Sequence, residues 1–174
     1  NMYYAAPEMI RGFQGGRRET IWAGGKGRKT SNPEIIESAH FPDEWQGALV
    51  TGGTRGIGLA VARLLADDGA SVVVSGRDPG RLESAAKELE GLGASALAVA
   101  ADAAKREDAD RLVEAVKERF GRIDVLVNNA GITRDQLLVR MKDDDWDQVL
   151  DTNLRGVFLM TRAVYGEMVR GGYG

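Results

Sequence analysis

From Gly47 onward, short apolar or β-branched runs alternate with stretches of helical period, and this alternation constrains the fold more than any other feature. "ALVT" is apolar, and after it Ile57, Val61, Leu64 and Leu65 recur at helical spacing until Gly69. "SVVVSG" is a continuous β-branched run, as a strand buried on both faces requires. Pro79 opens a second helix with Leu82, Ala85, Ala86, Leu89 and Leu92 on one stripe and Gly93 after it. "SALAVAA" reads as a weaker strand. Leu112, Val113, Val116 and Phe120 mark a third helix ended by Gly121, and "IDVLVNN" reads as a fourth strand. Trp146, Val149, Leu150, Asn153, Leu154, Val157, Phe158, Thr161, Val164 and Met168 then form one face of a long final helix. Such alternation predicts an α/β fold, a parallel sheet with helices on both sides. Right-handed crossovers narrow the topology further.

"LVTGGTRGIGLA" joins the first strand to the first helix. A helix start carries unpaired N–H groups and partial positive charge, so it attracts anions. Small residues there let the backbone approach a phosphate. Thr51, Gly52, Gly56 and Gly58 give the spacing T-G-x-x-x-G-x-G rather than G-x-G-x-x-G, because Val61 stands where the last glycine would be. In a strand–loop–helix context this predicts dinucleotide binding; a tight turn without a ligand is the plainer alternative. Arg55 lies in the loop and Arg77 just after the second strand, where the adenine ribose is expected. An acid there favours NAD, whereas an arginine fits the extra phosphate of NADP. Ser75-Gly76-Arg77 occupy the strand end, with Asp78 one step late, so NADPH is expected. The plainer reading makes Arg77 a turn residue and Arg55 an exposed helix-start residue.

Composition narrows the partners. The net charge of −3 argues against nucleic acid or a membrane as main partner of the whole chain, and no apolar run approaches the roughly 18 residues of a membrane span. The absence of cysteine excludes disulfides and thiolate metal sites and fits a reducing cytoplasm. His40 is the single histidine, so no mechanism needing a histidine pair applies, and no metal is expected.

Residues 1–46 follow no helical or strand period and are expected to form a flexible extension of unknown role. In residues 1–30, Arg11, Arg17, Arg18, Lys26, Arg28 and Lys29 face only Glu8 and Glu19, so a basic arm touching nucleic acid or another anion is the sharper alternative. "GGKGRKTS" hints at a phosphate loop, but Arg28 rather than Gly precedes Lys29-Thr30 and no apolar strand leads in.

"TGGTRGIG" at Thr51–Gly58, "NNAG" at Asn128–Gly131 and "DTNLRGVF" at Asp151–Phe158 resemble the short-chain dehydrogenase/reductase family. "GITRDQLLVRMKDDDWDQVLDTNL" is similar to the 3-oxoacyl-[acyl-carrier-protein] reductases of fatty-acid synthesis. The likeness covers about Gly47 to Gly174. It implies the N-terminal part of a Rossmann-like doubly wound sheet, incomplete, with strand order 3-2-1-4. It also implies NADPH-dependent reduction of a 3-oxoacyl thioester carried on acyl carrier protein, in the cytoplasm, by a homo-oligomer whose last two helices in this region meet a second subunit.

Site roles are implied by the same likeness. Gly52, Gly53, Thr54 and Arg55 would hold the diphosphate and adenosine side, with Gly56, Ile57 and Gly58 completing the turn. Arg77 would take the 2′-phosphate, and Asp102 and Ala103 would sit at the adenine. Asn129, Ala130 and Gly131 would border the adenosine ribose and help hold the sheet. Asn153 would be the helix asparagine of the catalytic tetrad, its main chain binding a water of the proton relay; read without the family, it is a locally bonded polar residue on a buried face. Asp124 would cap a turn before its strand. The family carries two more residues between Gly47 and Ala48, so the first strand here is expected to lose its first pair.

The rest of the family's chemistry has no counterpart in the sequence. A tyrosine donates the proton, a nearby lysine lowers its pKa and a serine orients the carbonyl. Four residues after Tyr3, Tyr4 and Tyr165 stand Pro7, Glu8 and Val169, Tyr173 is next to last, and no serine follows Ser95. The expectation is a piece of a longer reductase, inactive as a ketoreductase by itself, with the edge of its fourth strand open. The alternative is a non-catalytic nucleotide-binding or interaction module with a basic arm.

Overall fold

The computed structural model describes residues 47–172; the expected N-terminal extension and its basic arm lie outside the described residues. The elements run β1 (Gly47–Thr51), α1 (Gly56–Asp67), β2 (Ser71–Gly76), α2 (Pro79–Gly91), β3 (Ala96–Ala100), α3 (Arg106–Phe120) and β4 (Val125–Val127), then α4 (Asp143–Leu150) and α5 (Gly156–Gly171). All strand pairs are parallel, in the order β3-β2-β1-β4. The expected strand order 3-2-1-4 and the Rossmann-like sheet are therefore found. Among the described residues β4 pairs with β1 alone.

Strand periodicity divides the core. Leu49 and Val73 point to the side of α3 and α5, where they join Leu112, Val116, Ile123, Met160 and Val164 in one buried cluster. Their alternates Ala48, Val50, Val72 and Val74 are equally buried on the face against which α1 and α2 pack. That two-sided burial explains the unbroken β-branched run of β2. Asp78 caps α2 by accepting from Arg81 N at 3.0 Å, and Pro79 follows at the first helical position, where its missing N–H costs nothing. Gly121, at φ 78°, ends α3.

β1 does not lose its first pair. It begins at Gly47, which registers with Ser71 of β2. Asp124, 3% exposed, secures that end: its Oδ2 accepts from Gly47 N at 2.8 Å, and Asp124 N donates to Gly47 O at 2.8 Å. Arg122 also bonds Asp124 Oδ1 through Nε at 2.7 Å, so the buried carboxylate is paired.

The long final helix differs from expectation in two ways. A π-helical turn at Asp151–Arg155 interrupts it between α4 and α5. The apolar face read from the sequence is also largely exposed, with Trp146, Leu154 and Phe158 each more than half accessible. The buried positions of α5 are Gly156, Leu159, Met160 and Val164. This helix is apolar on two faces, and only one of them meets α3. Likewise Ile57, placed on the inner stripe of α1, is 68% exposed at the loop mouth, while Gly58, Ala62, Leu65 and Ala66 are buried.

Candidate nucleotide-binding cleft

The C-terminal ends of the four strands carry the loops of a cleft of about 760 Å³. It opens where strand order reverses, with β2 on one side of β1 and β4 on the other. Gly52, Thr54, Arg55, Gly56, Ile57 and Gly58 line it from the first loop, and Arg77 from the end of β2. Asp102 and Ala103 line it from beyond β3, and Asn129, Ala130 and Gly131 from beyond β4. A second, smaller cleft shares Arg55, Gly131 and Ile132 with the first and adds Asn153 and Arg134.

Gly53 alone among the expected cofactor residues is not at the cleft surface. It is buried, its N–H bonds Ser75 O at 3.1 Å, and a Cβ there would lie 2.7 Å from Val74 Cγ1. Its small size lets the loop lie down on β2, so it supports the cleft from beneath.

The loop's shape is fixed by close approach. Gly56 has φ +54°, a conformation side chains with a Cβ rarely adopt. A Cβ on Gly58 would lie 2.4 Å from both Asn129 Nδ2 and Gly52 O. Arg55, at the N-cap of α1, is extended and makes no side-chain cap, and the first turn holds no acid. The helix start thus presents its amide groups and positive end at the cleft, uncompensated.

Thr51 ties the loop to β4. The residue is 1% exposed. Its Oγ1 donates to Val127 O at 3.2 Å and accepts from Asn129 N at 3.0 Å and Ala130 N at 3.1 Å. Asn129 Nδ2 donates back to Thr51 O at 3.0 Å and Gly52 O at 3.1 Å. Asn129 therefore holds two strand ends together with its side chain while bordering the cleft.

Asn153 sits in the π turn and bonds a distant loop rather than its own helix. Its Oδ1 accepts from Ile132 N at 2.8 Å and its Nδ2 donates to Ile132 O at 2.9 Å. This two-point clasp fixes the loop after β4 against the interrupted helix, leaving the side chain fully engaged. Helix interruptions of this kind recur at functional sites.

Arg77 and Asp102 face each other across one end of the cleft, with Arg77 Nη1 3.8 Å from Asp102 Oδ2. Sequence reasoning missed Ser75, Gly76, Arg81, Ile132 and Thr152, which also line the main cleft. Gly76 had a detectable signal, a glycine closing a β-branched strand; a Cβ there would lie 2.9 Å from Thr54 Cγ2. Ile132 had none, because its backbone rather than its side chain meets Asn153.

A parallel sheet whose strand order reverses at a glycine-lined helix start defines a doubly wound α/β protein. Residues 46–174 match the family described as short chain dehydrogenase. The chain is 48% identical over 126 residues to a 3-oxoacyl-[acyl-carrier-protein] reductase of Synechocystis, covering 72% of this chain and 51% of that protein. It is 44% identical over 124 residues to the 3-oxoacyl-[acyl-carrier-protein] reductase FabG of Staphylococcus epidermidis, covering 71% and 51%. A crystal structure of a variant actinorhodin polyketide ketoreductase with NADPH superposes with TM-score 0.72 at 41% identity, covering 74% of this chain and 50% of that one. The chain belongs to the short-chain dehydrogenase/reductase family of oxidoreductases. It spans about half the length of the curated relatives it matches.

Proposed function

We propose that this chain supplies the cofactor-binding half of an NADPH-dependent reductase that converts a 3-oxoacyl thioester, carried on acyl carrier protein, to the 3-hydroxyacyl thioester. One observation carries the reading: an uncapped helix start, lined by glycines that could not bear a Cβ, opens on the cleft where strand order reverses. The relatives named 3-oxoacyl-[acyl-carrier-protein] reductase support the substrate class.

The residues fit a nicotinamide dinucleotide. Amides of Gly56, Ile57 and Gly58 hold the diphosphate, where a Cβ on Gly58 would disrupt the loop. Thr54, Arg55 and Gly52 flank it, and Gly53 lets the loop sit on the sheet. Arg77 takes the 2′-phosphate, with Asp102 and Ala103 at the adenine and Asn129, Ala130 and Gly131 at the ribose. A charge-assisted arginine–phosphate contact is worth roughly 1.5–3 kcal/mol, enough to favour NADPH tenfold or more. When bound, the nicotinamide supplies the hydride for a carbonyl. Asn153 holds the loop after β4 through Ile132 and offers its main chain to a water of the proton relay.

Among the described residues no helix is long and apolar enough to cross a membrane. By its likeness to the 3-oxoacyl-[acyl-carrier-protein] reductases, we place the protein in the cytoplasm. The exposed apolar residues of α4 and α5 are surfaces for a second subunit, giving a homo-oligomer.

Fluorescence titration with NADPH and NADH tests the reading. Saturable binding that prefers NADPH, with the preference lost in Arg77→Ala, supports it; no binding of either nucleotide overturns it. The second reading, a nucleotide-binding module without catalysis, rests on the same cleft and asks no proton donor of the residues that line it. Under either reading, this chain alone oxidises no NADPH with an acetoacetyl thioester.

A further inference from the structure

We propose that Asp102 sets how strongly the cleft discriminates between nucleotides with and without a 2′-phosphate, acting as a fixed negative charge beside Arg77. This inference rests on the nucleotide-binding reading above. Arg77 Nη1 lies 3.8 Å from Asp102 Oδ2, beyond hydrogen-bond distance, and both residues line the main cleft. The two partners differ in freedom. The Arg77 side chain is 66% exposed and that of Asp102 only 24%.

Asp102 is held from behind. Its Oδ1 accepts from Ala104 N at 3.1 Å, and its own N–H donates to Asp108 Oδ2 at 2.7 Å. Asp108 in turn pairs with Arg111 at 3.0 Å. The carboxylate therefore cannot swing away when an anion arrives, whereas the arginine can turn. A 2′-phosphate drawn to Arg77 meets a second negative charge at close range and must share the guanidinium with it. Arg77 is solvent-exposed and the pair is long, so it is worth little and breaking it costs little. The repulsion between the carboxylate and a doubly charged phosphate is the larger effect, about three- to tenfold in affinity in a solvent-facing cleft. A nucleotide with a free 2′-hydroxyl adds no charge there and escapes this penalty.

Asp102→Asn removes the charge and keeps an oxygen for Ala104 N–H. Asp102→Ser does the same with a shorter side chain, and serves if the asparagine variant folds poorly. The full chain would be titrated with 2′,5′-ADP, 5′-AMP, NADPH and NADH by calorimetry. The expected result is a gain of about three- to tenfold for 2′,5′-ADP relative to 5′-AMP, and for NADPH relative to NADH, in either variant. An unchanged ratio overturns the inference, and so does a loss of 2′-phosphate affinity, which would mean that Asp102 serves to orient Arg77. Failure of the wild-type chain to bind any of the four nucleotides overturns instead the nucleotide-binding reading itself.

Discussion

Asn129 donates two hydrogen bonds to Thr51 across the ends of β4 and β1, from its N to Thr51 Oγ1 and from its Nδ2 to Thr51 O, both at 3.0 Å. Buried polar groups tied in this way stiffen the point from which the glycine-rich loop departs. The loop's geometry is thereby linked to the register of two strands that lie more than seventy residues apart in sequence.

Thr51→Val tests that link. Valine fills the same space but can neither donate to Val127 O nor accept from the Asn129 and Ala130 amides. The expected loss is roughly 2–4 kcal/mol, since each unsatisfied buried group costs about 1–3 kcal/mol and part of the cluster reaches solvent. Urea denaturation measures it; a loss under about 0.5 kcal/mol would show that the cluster adds nothing.

Gly58→Ala and Gly91→Ala separate close approach from glycine content as such. At Gly58 the new Cβ would meet Asn129 Nδ2 and Gly52 O at 2.4 Å, so the loop must shift. We expect nucleotide binding to fall at least tenfold, with a loss of about 1–3 kcal/mol in stability. At Gly91, in the last position of α2, a Cβ meets nothing within 4 Å. That variant is expected to be neutral or stabilised by up to about 1 kcal/mol. Thermal melts and NADPH titrations of the pair check both.

The C-terminal half of α5 has a pH signature, set mainly within the helix and partly by Lys117 of α3. Glu167 on α5 is held below the usual carboxylate range first by its hydrogen bond to Arg170, then by the charges of Arg170 and Lys117. A carboxyl lowered in the folded state contributes stability above its unfolded pKa and loses it as pH falls through its folded pKa. Glu167→Gln should therefore melt below the wild type at pH 7, and the two curves should converge as pH falls through the lowered pKa of Glu167. Curves that stay equally far apart in acid would assign the difference to packing. At the alkaline end Lys117, raised chiefly by its hydrogen bond to Glu114, stays charged past the usual lysine range. Its contribution disappears only as pH rises through that elevated value.

Self-association is the fourth expectation. Leu154 and Phe158 project from one side of the π turn and the start of α5, 67% and 57% exposed. Sedimentation should find the chain larger than a monomer at micromolar concentration, and Leu154→Lys with Phe158→Lys should shift it toward monomer. A monodisperse wild-type monomer would count against an interface on this face.

Much of this was legible in the sequence because local and tertiary demands agree. The β2 run is β-branched because both of its faces are buried, and Gly69 and Gly121 stop helices where positive φ is needed. The cleft was legible for a similar reason: Gly56 and Gly58 leave a spacing that backbone geometry imposes. Legibility failed where one residue type serves two surfaces. Phe158 and Leu159 are neighbours and equally apolar, yet only Leu159 is buried, and hydropathy cannot say which face meets α3. The π turn left no sequence signal, and its Asn153 bonds the backbone of Ile132, a partner whose side chain carries no signal either. Asp102 was read as an adenine neighbour, but its pairing with Arg77 depends on how far β2 and β3 carry their ends, which spacing alone does not give.

Whether the start of α1 grips a diphosphate is decided by a crystal structure of the chain with NADP⁺. Diphosphate oxygens are expected within about 3 Å of the Gly56–Gly58 amides, at ordinary hydrogen-bond distance, with the 2′-phosphate against Arg77. A nucleotide bound with its diphosphate elsewhere, or a loop closed over that helix start, would contradict it.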